Sequence, residues 1–282
     1  MCYTGATARM FGIFFLVVCF AALLAFLVVS GERASTLGKA LVVGFFLRLL
    51  LLAVVRNVQF FSHAVGGDAF LYEEFAQYIV DYWRHYGFSY ITLDKIPAVA
   101  RTSLPPNLFA LIVWANGGPS TIGCTALTAL VACLTLLNFY KLAVEMGADP
   151  KIAQRVTLVL FFSPSFLMYT SDMYKDGLVW FFTLGAVGSA FRLSRKFSVL
   201  HLVIGVVSIF AVWFVRFYLV FVCIAPLVVG LLGIGGRSVL RPLFFSIVAA
   251  AVLGGIASYS NVIEDATKTA NDTLEIAHST RW

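Results

Sequence analysis

Long apolar segments recur along almost the whole chain, and they constrain its fold more than any other feature. Hydrophobic residues make up 61% of the 282 residues and charged residues only 12%, about half the charged fraction of a typical soluble domain. A helix needs about 20 apolar residues to cross a bilayer, where its backbone must satisfy its own hydrogen bonds. The sequence therefore predicts an all-α polytopic transmembrane bundle. We expect about eight spanning helices, at residues 10–30, 41–60, 119–143, 154–170, 175–193, 198–215, 217–234 and 239–258.

The basic residues lie between the apolar segments, and their positions predict the orientation of the bundle. The net charge is +6, but the charges lie in short loops and form no basic face, so we exclude nucleic acid as a partner. The main groups are Arg33 and Lys39; Lys141, Lys151 and Arg155; Arg192, Arg195 and Lys196; Arg237 and Arg241. The positive-inside rule places these loops in the cytoplasm and most carboxylates outside. Arg9 leaves the orientation of the first helix open.

The long outer loop, residues 61–118, contains two predicted interfacial helices. In the stretch 70–83, apolar residues recur at helical spacing with charges between them, which is typical of an amphipathic helix on a membrane surface. The pair Pro105-Pro106 opens a second apolar stretch, residues 108–115, which is too short to cross the bilayer.

The cysteines and histidines predict neither a disulfide framework nor a metal site. Four of the five cysteines lie within apolar segments, where a free thiol behaves as a small hydrophobe. The four histidines do not cluster along the chain.

The acidic stretch after the second apolar segment is the strongest candidate for chemistry. Asp68 follows two glycines, which allow a sharp turn and a close approach to another surface, and Glu73 and Glu74 follow it. Carboxylates near lipid are costly unless they have a role or a partner. The structural alternative is that Asp68 is an N-cap and that the helix dipole favours the two glutamates.

A second polar constellation lies between two predicted spans, on the same outer side. It contains Ser163-Pro164-Ser165, and then Asp172, Lys175 and Asp176. One interpretation is a polar turn in which Asp172 caps the next helix and Lys175 pairs with an acid. The other is that these side chains face the same aqueous cavity as Asp68, where Lys175 meets a phosphate as a point charge.

Two arginines lie within or beside apolar segments. Arg48 lies well inside a predicted span, where an ionisable residue is a functional hypothesis by default; its structural alternative is a bond to a buried carbonyl or acid. Arg216 lies between two apolar segments. It either extends to lipid head groups or binds a phosphate through its bidentate fork.

In their order and spacing, these residues resemble the GT-C superfamily of membrane glycosyltransferases, as in its protein O-mannosyltransferase and lipid A aminoarabinose transferase branches. The resemblance covers about residues 40–235 and rests on order rather than on any one motif. The matching landmarks are the helix bearing Arg48, Gly67-Asp68 with Tyr72, Pro105-Pro106, Ser163-Pro164-Ser165 with Lys175-Asp176, and a late helix that ends at Arg216.

The resemblance implies transfer of a sugar from a polyprenyl-phosphate donor to an acceptor on the extracytoplasmic face of the membrane. It implies that Asp68 is the general base or a metal ligand, assisted by Tyr72 and Glu73. Electrostatic neutralisation of the donor phosphate falls to Arg48, Lys175 and Arg216, and Asp172, Asp176 and Glu74 are expected to face the same cavity. A divalent metal ion is the one cofactor that the resemblance leaves open.

The chain also departs from the pattern of that superfamily. An extra helix precedes the one that bears Arg48, the usual paired acids are reduced to Asp68, and the sequence stops where relatives continue. We expect a single integral membrane domain over residues 1–282, from a truncated or minimal member. It comprises the extra helix at 1–40, a core at 41–258 and a polar extracytoplasmic tail at 259–282.

Two other functions compete with glycosyl transfer. A transporter or flippase for a lipid-linked substrate is expected to show repeats and broken helices, and no repeat is found in the sequence. A non-catalytic subunit of a polysaccharide assembly system is the other alternative, and its partners are other cell-envelope proteins. The small size and short loops favour a prokaryotic or viral origin, and we expect the protein in a bacterial plasma membrane. A polysaccharide polymerase, with lipid-diphosphate oligosaccharide on both sides of the reaction, is a related enzyme that the sequence does not separate from a single-sugar transferase. The sequence specifies neither sugar nor acceptor.

Overall fold

The protein is all-helical in the residues that its structure describes. This computed structural model describes residues 5–57, 67–92, 102–216 and 218–232, and no strand occurs among them. The described helices are α1 (Gly5–Val29), α2 (Thr36–Asn57), α3 (Gly67–Tyr86), α4 (Leu104–Asn116), α5 (Thr121–Glu145), α6 (Pro150–Phe161), α7 (Pro164–Met168), α8 (Asp176–Arg195), α9 (Val199–Val215) and α10 (Leu219–Leu232).

Four of these helices are long and apolar enough to cross a membrane: α1, α2, α5 and α8. The chain is therefore an integral membrane protein. Helices α9 and α10 are apolar but have only 17 and 14 described residues, which is below the usual length of about 20 for a span. The predicted count of about eight spans is not confirmed; the segment 239–258 lies outside the described residues.

The predicted span at 154–170 is wrong as a single helix. Helix α6 ends at Phe161, and α7 begins at Pro164 and has five residues. The break follows from the proline, because a residue before proline is forced away from helical backbone angles. Ser163 accordingly has an extended backbone, with φ −62° and ψ 136°. This break contributes to the wall of the candidate site described below.

Helix α5 lies at the centre of the bundle. It packs against α1, α2, α6 and α8, and 72% of its apolar window is buried, against at most 39% in the other three long helices. Its buried residues are mainly small or hydroxylated, among them Gly123, Ala126, Ala129 and Cys133. Small side chains let membrane helices approach closely and gain van der Waals contact.

Helices occur at both places where an interfacial helix was predicted, as α3 and α4, and they pack against each other; their position at the outer membrane surface stays a prediction. Tyr72, Ile79 and Trp83 of α3 share one buried cluster with Phe109 and Val113 of α4. Much of the apolar face of α3 is thus covered by protein.

The chain segment between α3 and α4 is tied to α4 by a buried amide. The Asn107 side chain accepts a hydrogen bond from the Ile91 backbone N–H and donates one to the Ile91 carbonyl, at 3.0 and 2.9 Å. These two hydrogen bonds imitate the pairing of two backbone segments, so they fix the position of residue 91 along α4.

Close contact between α2 and α6 depends on Gly44. A Cβ added at Gly44 would overlap the ring of Phe161, which is itself fully buried. The carbonyl of Gly44 also accepts a hydrogen bond from Arg48 Nη1 at 3.0 Å. The glycine therefore allows a ring and a guanidinium to pack against the same turn of α2.

Gly44→Ala is expected to destabilise the protein, although alanine is normally the better helix former by about 1 kcal/mol. The overlap with Phe161 costs about 1–3 kcal/mol, as overpacking of a core does. Thermal unfolding of purified protein, followed by size-exclusion chromatography, measures the effect. Gly118→Ala is the control, because nothing lies within 4 Å of a Cβ added there. Equal melting temperatures for Gly44→Ala and wild type would contradict this account of the α2–α6 contact.

Candidate functional site

Arg56, in the last turn of α2, holds together four separate parts of the chain. Its Nε and Nη2 donate to the two carboxylate oxygens of Asp172, each at 3.0 Å, and its Nη1 donates to Glu73 Oε2 at 2.7 Å. Thr121, at the start of α5, donates to the other oxygen of Glu73 at 3.0 Å. The Arg56 cluster, defined as Arg56, Glu73, Thr121 and Asp172, therefore joins α2, α3, α5 and the segment before α8.

The Arg56 cluster is shielded from water. The side chains of Arg56, Glu73 and Asp172 are 20%, 18% and 5% exposed, and Asp172 also accepts from the Met173 backbone N–H at 2.7 Å. The Phe70 ring lies 5.1 Å from the guanidinium carbon. A bidentate pair in such surroundings is much stronger than one in water. The cluster holds two carboxylates against one arginine.

The sequence interpretation missed Arg56. Two signals for it were present in the sequence. Arg56 lies eight residues after Arg48, and therefore about two turns further along the same helix. The acids predicted on the outer side also needed a basic partner near a helix end. Glu73 and Asp172 were both predicted at the site, and the structure brings them together on Arg56.

A cavity of about 610 Å³ lies beside the break between α6 and α7. One wall is a face of α8 on which Asp176, Trp180 and Leu184 succeed one another at helical spacing. Other walls come from α5, from α6 and α7, and from Arg216 at the end of α9. The full lining is Thr135, Leu136, Phe139, Leu160, Ser163, Ser165, Phe166, Tyr169, Thr170, Asp176, Trp180, Leu184 and Arg216.

The cavity is apolar over most of its wall and carries an ion pair. Arg216 Nη2 donates to Asp176 Oδ1 at 2.9 Å, and its Nη1 donates to the Tyr218 hydroxyl at 2.8 Å. The side chains of Arg216 and Asp176 are 32% and 28% exposed, so the guanidinium remains accessible. Two of the predicted site residues, Arg216 and Asp176, thus lie together on this cavity.

Arg48 lies fully buried between α2 and the segment 161–170. Its Nε donates to Thr170 Oγ1 at 2.8 Å, its Nη1 to the Gly44 carbonyl and its Nη2 to the Phe161 carbonyl at 3.3 Å. Its guanidinium carbon lies 4.2 Å from the centre of the Phe161 ring. This geometry supports the structural alternative for Arg48, and we leave it out of the phosphate contacts proposed below.

The remaining predicted residues are divided between different surroundings. Tyr72 is buried, and the Lys175 ammonium lies 5.6 Å from the centre of its ring. Glu74 is exposed and accepts a hydrogen bond from the Tyr78 hydroxyl at 2.8 Å, which raises the pKa of Tyr78. Asp68 is the second residue of α3, and its side chain lies outside the described part of the structure.

The described residues contain no cluster of metal-ligating side chains. No group of three or more metal-ligating side chains occurs among them, and Glu73, Asp172 and Asp176 each bond an arginine. We therefore derive no chemical step through a metal ion.

Comparisons with known proteins identify no relative of this chain. No protein-family model matches the chain, and neither a curated protein nor a solved structure matches it significantly. The resemblance to the GT-C superfamily accordingly stays a prediction.

Asp172→Asn is expected to lower the melting temperature far more than Asp81→Asn. Asp172 is a nearly buried bidentate partner of Arg56, and removing one partner of a buried pair costs up to about 3–5 kcal/mol. Asp81 pairs with Arg84 at 3.0 Å, but the two side chains are 60% and 51% exposed, so its loss costs about 0–1 kcal/mol. Thermal unfolding of the two variants in the same detergent measures the difference, and similar melting temperatures would contradict the role given to the Arg56 cluster.

Proposed function

We propose that the protein is a membrane glycosyltransferase that moves a sugar from a polyprenyl-phosphate donor to an acceptor on the extracytoplasmic side of a bacterial plasma membrane. The observation that carries the proposal is the cavity of about 610 Å³, whose wall is mainly apolar and whose cation is Arg216. The residue order that resembles the GT-C superfamily supports the same class.

The cavity suits the two halves of a lipid phosphate. Leu160, Phe166 and Trp180 provide contact for a hydrocarbon chain, and the side chains of Leu160 and Trp180 are exposed. A guanidinium binds phosphate oxygens through parallel hydrogen bonds. Arg216 now shares its donors with Asp176 and Tyr218, so in this proposal an arriving phosphate competes with Asp176 for one arm of the fork.

In the proposed reaction, the acceptor hydroxyl oxygen attacks the anomeric carbon of the sugar. The bond between that carbon and the phosphate oxygen breaks, and the phosphate leaves with the electron pair. Arg216 stabilises the charge that grows on the leaving phosphate, which is a preorganised electrostatic contribution. The hydroxyl proton goes to a carboxylate acting as general base.

Asp68 is the carboxylate that we propose as this base, as the resemblance implies. Both oxygens of Asp172 accept hydrogen bonds from Arg56, and the two oxygens of Glu73 accept from Arg56 and Thr121, so these two carboxylates are already engaged. Tyr72 lies one turn after Asp68 in α3 and is proposed to orient it. The bond between Glu73 and Arg56 then holds α3, and with it Asp68, against the bundle.

The second candidate function is transport, or an accessory role, in lipid-linked glycan assembly. The observation that favours it is the break at Ser163, because transporters build their binding sites from interrupted helices. The break contributes Ser163 and Ser165 to the cavity wall. In that case the cavity holds the same lipid phosphate without breaking its bond to the sugar.

Arg216→Gln is expected to raise the KM for a polyprenyl-phosphate sugar by about tenfold or more, because a hydrogen bond to a charged group contributes about 1.5–3 kcal/mol. Arg216→Lys should recover part of this loss, because it keeps the charge without the fork. The measurement is release of polyprenyl phosphate from a panel of donors, with the protein in lipid nanodiscs. The control is Arg84→Gln, which removes an equal charge from an exposed side chain of α3 and should leave KM unchanged.

The same assay separates transfer from transport. Asp68→Asn is expected to reduce turnover by about 10²–10⁴, the usual contribution of a general base, while donor binding persists. Binding without release in the wild-type protein would favour the transport or accessory function. Absence of both binding and release with every donor would overturn the proposal.

A further inference from the structure

A second cleft, of about 490 Å³, lies at the far end of α8. Helix α8 begins at Asp176 beside the apolar cavity and ends at Arg195, and its 20 residues separate the two places by about 30 Å at 1.5 Å per residue. The basic cleft, as we name it, is lined by Glu145, Phe191, Arg192, Arg195, Lys196, Ser198 and His201. It plays no part in the proposed transfer reaction.

The basic cleft has an excess of positive charge that its own acid does not balance. Arg192 donates to the two oxygens of Glu145 at 2.8 and 3.0 Å, so this arginine is neutralised and fixed. Arg195 and Lys196 are exposed, and neither forms an ion pair within the described part of the chain. The guanidinium of Arg195 lies 4.6 Å from the centre of the Phe191 ring, which restricts its orientation.

Additional hydrogen-bond donors point to an anion at the same place. Helix α9 starts at Val199, directly after Ser198, and the Ser198 side chain makes no capping bond to it. The first N–H groups of a helix have no partner within the helix, and its dipole favours negative charge there. In the first turn of α9, His201 Nδ1 is buried and has no hydrogen-bond partner; in its Nδ1–H tautomer this nitrogen is a donor.

We propose that the basic cleft binds a phosphate group, on the headgroup of an anionic lipid or on a soluble phosphate compound. Arg195 and Lys196 supply the charge, the first N–H groups of α9 supply donors, and His201 belongs to the same lining. The charge clusters predict that this end of α8 faces the cytoplasm, where basic pockets between membrane helices commonly bind acidic lipid headgroups. Exposed Phe197, Val199 and Leu200 lie next to the cleft in the sequence and suit the acyl chains of such a lipid.

Native mass spectrometry of the full chain in detergent tests the lipid source, with phosphatidylglycerol as probe and phosphatidylcholine as the zwitterionic comparison. Calorimetry with inorganic phosphate tests the soluble source. Arg195→Gln/Lys196→Gln is expected to weaken retention of the anionic probe by roughly tenfold or more, because it removes two of the basic residues that attract such a headgroup.

Lys151→Gln/Arg155→Gln is the matched control. It removes the same charge from exposed residues of α6, and these residues do not line the cleft. We expect the control to change retention less than about twofold. All four substituted side chains are exposed, so each variant should elute from size-exclusion chromatography as wild type does; Arg195→Gln alone is a milder form of the test.

Preference for phosphatidylglycerol that falls only in the cleft variant supports the proposal with lipid as the source. Heat of inorganic phosphate binding that disappears only in the cleft variant supports it with a soluble source. Equal losses in the two double variants, or no binding of either probe to wild type, would overturn it.

Discussion

The buried guanidinium of Arg48 is the constraint on which much of the bundle depends. A guanidinium cannot lose its proton in a protein, so inside an apolar helix bundle it must find hydrogen-bond acceptors. It finds them in the Thr170 hydroxyl, the Gly44 carbonyl and the Phe161 carbonyl. Phe161 is the last residue of α6, where helical carbonyls lack partners within the helix. The break after α6 and the buried arginine therefore satisfy each other.

Arg56 repeats this arrangement two turns further along α2. Arg48 donates hydrogen bonds to Phe161 and Thr170, and Arg56 donates to Asp172. Helix α2 therefore fixes the segment 161–172 at two positions along its length. That segment is a wall of the apolar cavity and leads directly into Asp176. The shape of the cavity thus depends on two arginines that do not line it.

The helices could be predicted from the sequence wherever one physical signal was sufficient. Apolar length identified α1, α2, α5 and α8, and helical spacing of apolar residues identified α3. The break at Ser163 could not be seen from apolar composition, because residues 154–170 read as one continuous apolar segment; Pro164 was the local signal that outweighed it. The ion-pair partners were harder still to predict, because Arg56 is separated from Glu73 and Asp172 by 17 and 116 residues of sequence. Local patterns indicate which residues need partners, whereas only the packing of helices decides which partners they receive.

The two ends of α8 give the bundle a division of charge along the membrane normal. Asp176 and Arg216 balance each other at one end, while Arg195 and Lys196 at the other end form no ion pair with any residue that the structure describes. Such an asymmetry orients the chain during insertion. Accessible cations therefore lie near both ends of α8.

Thr170 gives the apolar cavity a property that its lining alone does not reveal. Its hydroxyl accepts from Arg48 and lies on the cavity wall, and no carboxylate pairs with Arg48 among the described residues. A full positive charge therefore stands one hydrogen bond behind the cavity wall, and the protein between them screens its field less than bulk water would. In the proposed function this charge adds to that of Arg216 in attracting a phosphate, although the Arg48 guanidinium lies behind Thr170 and does not line the cavity.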